Sequence, residues 1–290
     1  MTPHTDLKFD AADIKPAYKP MTDKPTFQAP QDFLEECKSI EDLINSQSDL
    51  NFAAPTLFKA WTIGDIIGHL HLWNIAADLA LTKPDAFQSF MQKMMGAIRQ
   101  GQSHQALQAD YFGGKSDREI YADWRGFYPE MTARFAASDA ARRVKWVGPD
   151  MSVASSIIAR QMEHWSHAQA IFDVFGRARV NTDRLKNVVH IGVTTYSWSF
   201  KVNELEPLKP KPYLRLTAPS GRIWEWNDPQ EDNRIDGPAE DFAQVVTQCR
   251  NIADTALVMT GPTAQKWMEI AQCFAGTAEI PPPKGTRFKA

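Results

Sequence analysis

Glu163 and His167 stand four residues apart in Ser156–Phe172, a stretch free of proline and glycine that reads as helix. Residues at that spacing lie about 40° apart around a helix and about one turn apart along it, so both side chains can close on one cation. His164, one step on, points about 100° away and cannot join them. A third ligand must come from another segment. The candidate is His69, in Trp61-Thr-Ile-Gly-Asp-Ile-Ile-Gly-His69-Leu-His-Leu-Trp73. Two imidazoles and a carboxylate form the donor set that suits zinc, with a fourth position open to water or substrate. The competing reading is plain: Glu–His pairs at this spacing are common on helices, and a lone inward histidine is usually a hydrogen-bonded core residue. What favours a ligand set is that His69 shares an inward face with Ile66, Leu70 and Trp73, and a buried carboxylate needs a partner.

The elements that must position these residues are mostly helical. Thr62 with Asp65 three residues on reads as an approximate capping box starting the helix of His69; Asp65 is taken as a cap rather than as an acceptor orienting the imidazole. Helices are predicted near 31–48, 62–82, 85–101, 116–138, 151–176 and 183–201, separated by proline, glycine or short polar breaks. Residues 1–30, interrupted by Pro3, Pro16, Pro20, Pro25 and Pro30, read as an extended arm. A stiff proline-rich linker covers 204–212. Beyond it Tyr213–Trp226 alternates around a Pro-Ser-Gly turn, as a β-hairpin does. The stretch Ile235–Gln248 enters a helix with Pro238 in its first turn, and a short apolar run at 256–259 and a helix near 262–274 follow. The predicted class is α+β: an arm over 1–30, a helical bundle over 31–203, and a small α/β domain over 213–280.

The 290 residues can bury a substantial core. A net charge of −3 offers no electrostatic case for nucleic acid or an anionic membrane surface. No apolar run approaches the ~20 residues of a membrane span, and the first residues lack the order of a signal peptide. Cys37, Cys249 and Cys273 are far apart and form no CxxC pair, which argues against a disulfide frame. A cytoplasmic protein with a small-molecule substrate is expected. Of the nine tryptophans, Trp61, Trp73, Trp165 and Trp198 read first as packing, and otherwise as an apolar wall for a metal pocket. His71 and His164 fall off the ligand faces. Met91, Met94 and Met95 read as helix packing rather than as a copper site. Cys249 reads as a buried, inert thiol.

The segment Trp61–Leu70 resembles the tryptophan-led helix start that carries the first metal histidine in DinB-like proteins. Glu163-His-Trp-Ser-His167 is similar to the Glu-x-x-x-His pair of the mycothiol-dependent maleylpyruvate isomerase branch. Gly237–Arg250 looks like the hallmark helix of the small sterol-carrier-like domain in that branch. Ala253-Asp-Thr-Ala-Leu-Val258 and Ile270-Ala-Gln-Cys-Phe-Ala-Gly276 resemble a subgroup sometimes labelled for wyosine base formation. The resemblance covers roughly residues 31–280. It implies a DinB-like up-and-down bundle, with His69, Glu163 and His167 as ligands of a divalent ion, zinc first among them. It also implies a low-molecular-weight thiol as co-substrate, and an arginine of the second domain that holds the substrate's negative charge. That helix ends in Cys249-Arg250 where the subgroup shows two arginines, and Arg250 carries the role over. At a helix end Arg250 equally fits a terminus favoured by the dipole. The implied activity is a thiol-dependent isomerase or S-transferase. The alternatives are a metal-dependent hydrolase using bound hydroxide and a metal- or ligand-binding protein without turnover.

Overall fold

The structure, a computed structural model, describes residues 27–287; the arm expected over 1–30 lies outside them except for its last four positions. The chain divides into two compact units. One holds the described residues up to Glu41 together with Ile67–Arg160, and the other holds Asp42–Ile66 together with those from Gln161 on. Helices α1 (Ala29–Asn45), α2 (Ile63–Thr82) and α6 (Val153–Val174) each pass from one unit into the other without a break.

The first unit is built from helices. Besides its share of α1, α2 and α6 it holds α3 (Pro84–Arg99), α4 (His104–Phe112) and α5 (Asp117–Ala136), with a short antiparallel pair, β1 (Arg143–Val144) and β2 (Met151–Ser152). Phe33, Ile40, Leu70, Trp124, Met131, Phe135 and Ile157 are buried in its core. Glu41 joins α1 to α5, accepting from Arg125 Nε at 2.7 Å and Tyr128 Oη at 2.6 Å. A reciprocal capping box starts α5, with Ser116 and Glu119 each bonded to the other's backbone N–H. No helix is expected at α4 from the sequence. Its signals are compact: Ser103 accepts from Ala106 N at the start, and Gly113 ends the helix in the left-handed conformation. Nine residues between a short polar run and two glycines leave too little apolar periodicity to stand out.

The second unit centres on a four-stranded sheet in the order β4-β3-β5-β6, made by β3 (Tyr213–Thr217), β4 (Ile223–Trp226), β5 (Arg234–Pro238) and β6 (Val258–Thr260). The expected hairpin forms, β3 pairing antiparallel with β4 so that Leu214 faces Trp226 and Leu216 faces Trp224. β5 runs parallel to β3, and β6 antiparallel to β5. Leu214, Leu216 and Ile235 are fully buried, in one core with Phe242 and Val246 of α9 (Ala239–Val246), Val189 of α7 (Lys186–Thr194), Phe200 of α8 (Tyr196–Val202) and Trp267 of α10 (Pro262–Ile270). Gly192 lets α7 approach α9, since a Cβ there would meet Val246 Cγ2 at 2.7 Å.

Two elements differ from expectation. The stretch at 234–238 is an inner strand rather than a helix entrance, and Pro238 occupies the N-cap of α9. A five-residue strand ending in Gly-Pro carries the marks usually read against an inner strand. The helix expected over 183–201 opens with a 3-10 turn at Asp183–Leu185 and breaks at Thr195, giving α7 and α8. Thr194 and Thr195 hydroxyls both donate back to the Ile191 carbonyl, at 3.1 and 2.7 Å, a bonding pattern that bends helices. The class is α+β, as expected: a helical N-terminal part followed by a small sheet with its helices. Among the described residues no helix is long and apolar enough to cross a membrane.

Candidate metal centre

The helix carrying His69 starts as expected. Asp65 N donates to Thr62 Oγ1 at 3.0 Å and Thr62 N donates to Asp65 Oδ2 at 2.8 Å, satisfying donors that the first turn would otherwise leave bare. Thr62→Ala is expected to cost about 1 kcal/mol. The denaturant midpoint should fall with an unchanged slope, and an unmoved midpoint would show that Asp65 holds the helix start alone. Two turns on, the His69 imidazole is buried, with Trp73 at 6.3 Å between ring centroids.

Glu163 and His167 lie on α6, and the His167 Nε2 to Glu163 Oε2 distance is 3.3 Å. One ligand atom from each of His69, Glu163 and His167 lies within 4.8 Å of the others. Four donors about 2.0–2.1 Å from a tetrahedral zinc stand about 3.3 Å from one another, so the Glu163–His167 pair already has the required span. The donor types fit the ion as well.

Aromatic groups fix the His167 ring. Trp61 stacks on it, with centroids 5.9 Å apart and planes 5° apart, and Phe58 meets it edge-on at 5.0 Å. The loop before α2 delivers both. Lys59 and Ala60 have φ of 50° and 55°, a left-handed conformation that non-glycine residues adopt at a cost. Trp61 N donates to the Phe58 carbonyl at 2.9 Å across this turn, and Thr56 N donates to the Trp61 carbonyl at 2.7 Å. Trp61 thus lies against the His167 ring, and Trp73 lies beside the His69 ring. Trp165 and Trp198 instead make structural bonds, to Asn181 and to the Phe274 carbonyl.

His71 and His164 are buried outside the three-donor group. His71 stacks on Phe112 at 5.4 Å and meets Phe127 edge-on, and burial pushes its imidazole down to about 4. Three residues near these groups stand outside the sequence-based expectations: His104, whose ring lies 6.1 Å from that of His69, Phe58 and Arg287. The Arg287 guanidinium sits 5.1 Å above the Phe58 ring and donates to the Gln248 carbonyl. An arginine in a proline-rich tail carries no local signal.

Arg250 follows α9 and is buried. Its Nη2 pairs with Asp173 Oδ1 at 2.6 Å and its Nη1 donates to the Cys249 carbonyl at 2.9 Å. Asp173 lies further along α6 from His167 and also accepts from Gln169 Nε2 at 3.0 Å. Beside Arg250, the Cys249 thiol donates to the Ser166 carbonyl at 3.3 Å. Cys37, Cys249 and Cys273 are all buried, and burial pushes each thiol above its usual range. A neutral, enclosed thiol is a poor nucleophile. Native protein is expected to leave all three unlabelled by iodoacetamide at pH 8 and to label fully once unfolded. Rapid native labelling of Cys249 would instead mark it as a reactive group.

The chain resembles known proteins along most of its length. Residues 33–172 match the mycothiol maleylpyruvate isomerase N-terminal domain. Two uncharacterised proteins, one from each of two strains of Mycobacterium tuberculosis, are each 34% identical over 254 residues, covering 88% of this chain and 96% of the relative. A crystal structure of the mycothiol-dependent maleylpyruvate isomerase has a TM-score of 0.51 at 13% identity, covering 82% of this chain and 96% of that one. A histidine-to-alanine mutant of it gives 0.52 at 12% identity over the same shares. At such identities the likeness speaks for the fold, while the domain match and the full-length relatives settle descent: the chain belongs to the DinB-like, mycothiol maleylpyruvate isomerase family.

Proposed function

We propose that the protein binds one zinc ion through His69, Glu163 and His167 and serves a thiol-dependent isomerase or S-transferase reaction on a small anionic molecule. The observation that carries this is the convergence of two imidazoles and a carboxylate within 4.8 Å. Family membership supports the thiol partner. Bound zinc would lower the pKa of a coordinated thiol toward neutrality.

The chain's own residues supply the rest. Trp61 and Phe58 hold the His167 ring against rotation, which keeps its nitrogen aimed at one point. The protein's own thiols are buried and held neutral, so the nucleophile comes from outside. Arg250 is the cation assigned to the substrate's negative charge, held in place by Asp173. Its guanidinium has five N–H donors in a planar fork, enough to pair with Asp173 and still present donors elsewhere.

The test is metal analysis of the purified full chain, followed by calorimetry of zinc-loaded and metal-free protein against mycothiol, glutathione and bacillithiol. One thiol should bind the loaded form at least about tenfold more tightly than the metal-free form. Equal binding of all three thiols to both forms would overturn the proposal. So would ester or amide cleavage that needs zinc and ignores thiols.

A further inference from the structure

One imidazole near this centre has no part in the family reading. His104 is the first residue of α4 and is exposed, with its ring 6.1 Å from that of His69 and the planes 78° apart. This proximity is built in. His104, Gln108 and Phe112 recur every fourth residue and so form one stripe along α4. Each meets α2. Phe112 stacks on His71, with planes 5° apart. Gln108 occupies the space a side chain at position 68 would fill: a Cβ on Gly68 would lie 2.5 Å from Gln108 Oε1. His104 completes the stripe at His69. Gly68, immediately before the candidate ligand, is thus what lets α4 lie close enough for the third contact.

We propose that His104 is a fourth protein ligand of the metal centre; this rests on the assignment of His69, Glu163 and His167 as the first three. That trio leaves one position of a tetrahedral ion open. Two imidazoles on such an ion place their ring centroids about 5 Å apart, about 1 Å closer than His69 and His104 stand. An exposed side chain in the first turn of a helix can cover that difference by turning about its own bonds, with no movement of the backbone. The resting ion would then have three imidazoles and one carboxylate, and the position that a substrate or thiol takes would be one that His104 vacates.

The test uses the zinc-loaded full chain, X-ray absorption to count imidazoles, and chelator competition to measure zinc affinity. Wild type should show three imidazoles. His104→Ala and His104→Gln should each show two, with a dissociation constant raised at least about tenfold; loss of residues that merely support a ligand already costs about 10–100-fold. Two imidazoles in wild type, with affinity unchanged in both variants, would overturn the role of His104. His167→Ala separates the two claims. If it lowers affinity while the His104 variants do not, the three-residue site stands and only the fourth ligand falls. If it binds zinc like wild type, both claims fall. Position 104 is exposed, and glutamine keeps a polar residue at the helix start, so the variants should fold; matching circular dichroism spectra check this.

Discussion

Glu163→Ala and His167→Ala are each expected to lower zinc affinity by at least about 10², more than loss of an outer-shell partner costs. The fold should survive, because the two buried cores do not depend on the ion. What should disappear is the dependence of melting temperature on zinc. A ligand at 100 times its dissociation constant adds about 2.7 kcal/mol of stability by mass action. Wild type should therefore melt several degrees higher in zinc than in chelator, while either variant should melt alike in both. His71→Ala and His164→Ala make the informative contrast. Both remove buried side chains and should lower stability in zinc and chelator equally, with metal content kept. A Glu163→Ala, His167→Ala double variant that still carries stoichiometric zinc would sink the site.

Arg250→Ala should have the next largest effect, and on two quantities at once. The side chains of Arg250 and Asp173 are 9% and 5% exposed, so removing the guanidinium leaves a carboxylate in a nearly dry setting. Breaking a buried pair from one side typically costs about 3–5 kcal/mol. The bond from Gln169 to Asp173 remains and should hold the loss to the lower part of that range. Removing both charges, as in Arg250→Met with Asp173→Leu, should cost less than removing one. If the guanidinium also serves the substrate, turnover in a thiol-dependent assay should fall about 10²–10³ at unchanged zinc occupancy. Arg250→Lys should recover only part of both losses, because an ammonium lacks the planar fork. A large stability loss with full residual turnover would leave Arg250 a structural tie. Unchanged stability would contradict the observed pairing.

What the sequence makes legible here is what depends on near neighbours. Glu163 and His167 share a helix, so their alignment follows from 3.6 residues per turn, and the Thr62–Asp65 cap follows from a three-residue spacing. The hairpin at 213–226 announces itself by alternation around a turn. The rest depends on partners far along the chain. Nothing near Arg250 points to Asp173, 77 positions away, so a dipole-favoured helix end and a buried ion pair look the same in one dimension. β5 is a strand because β3 lies beside it, whereas its own Gly-Pro argues otherwise. His104 goes unnoticed because α4 is short and weakly periodic, and Gln108 and Phe112 acquire meaning only against Gly68 and His71.

The division of the chain bears on how it is made. One unit joins Asp42–Ile66 to residues from Gln161 on, with all of Ile67–Arg160 in between. During synthesis the loop bearing Phe58 and Trp61 leaves the ribosome long before His167, the ring on which both rest. Arg287, which covers Phe58, follows later still. Those two aromatic groups must wait, exposed, until these later residues are made, and long-range closures of this kind are slow. A nascent chain stalled before residue 161 should present Phe58 and Trp61 to chaperones, and release of the finished chain should withdraw them.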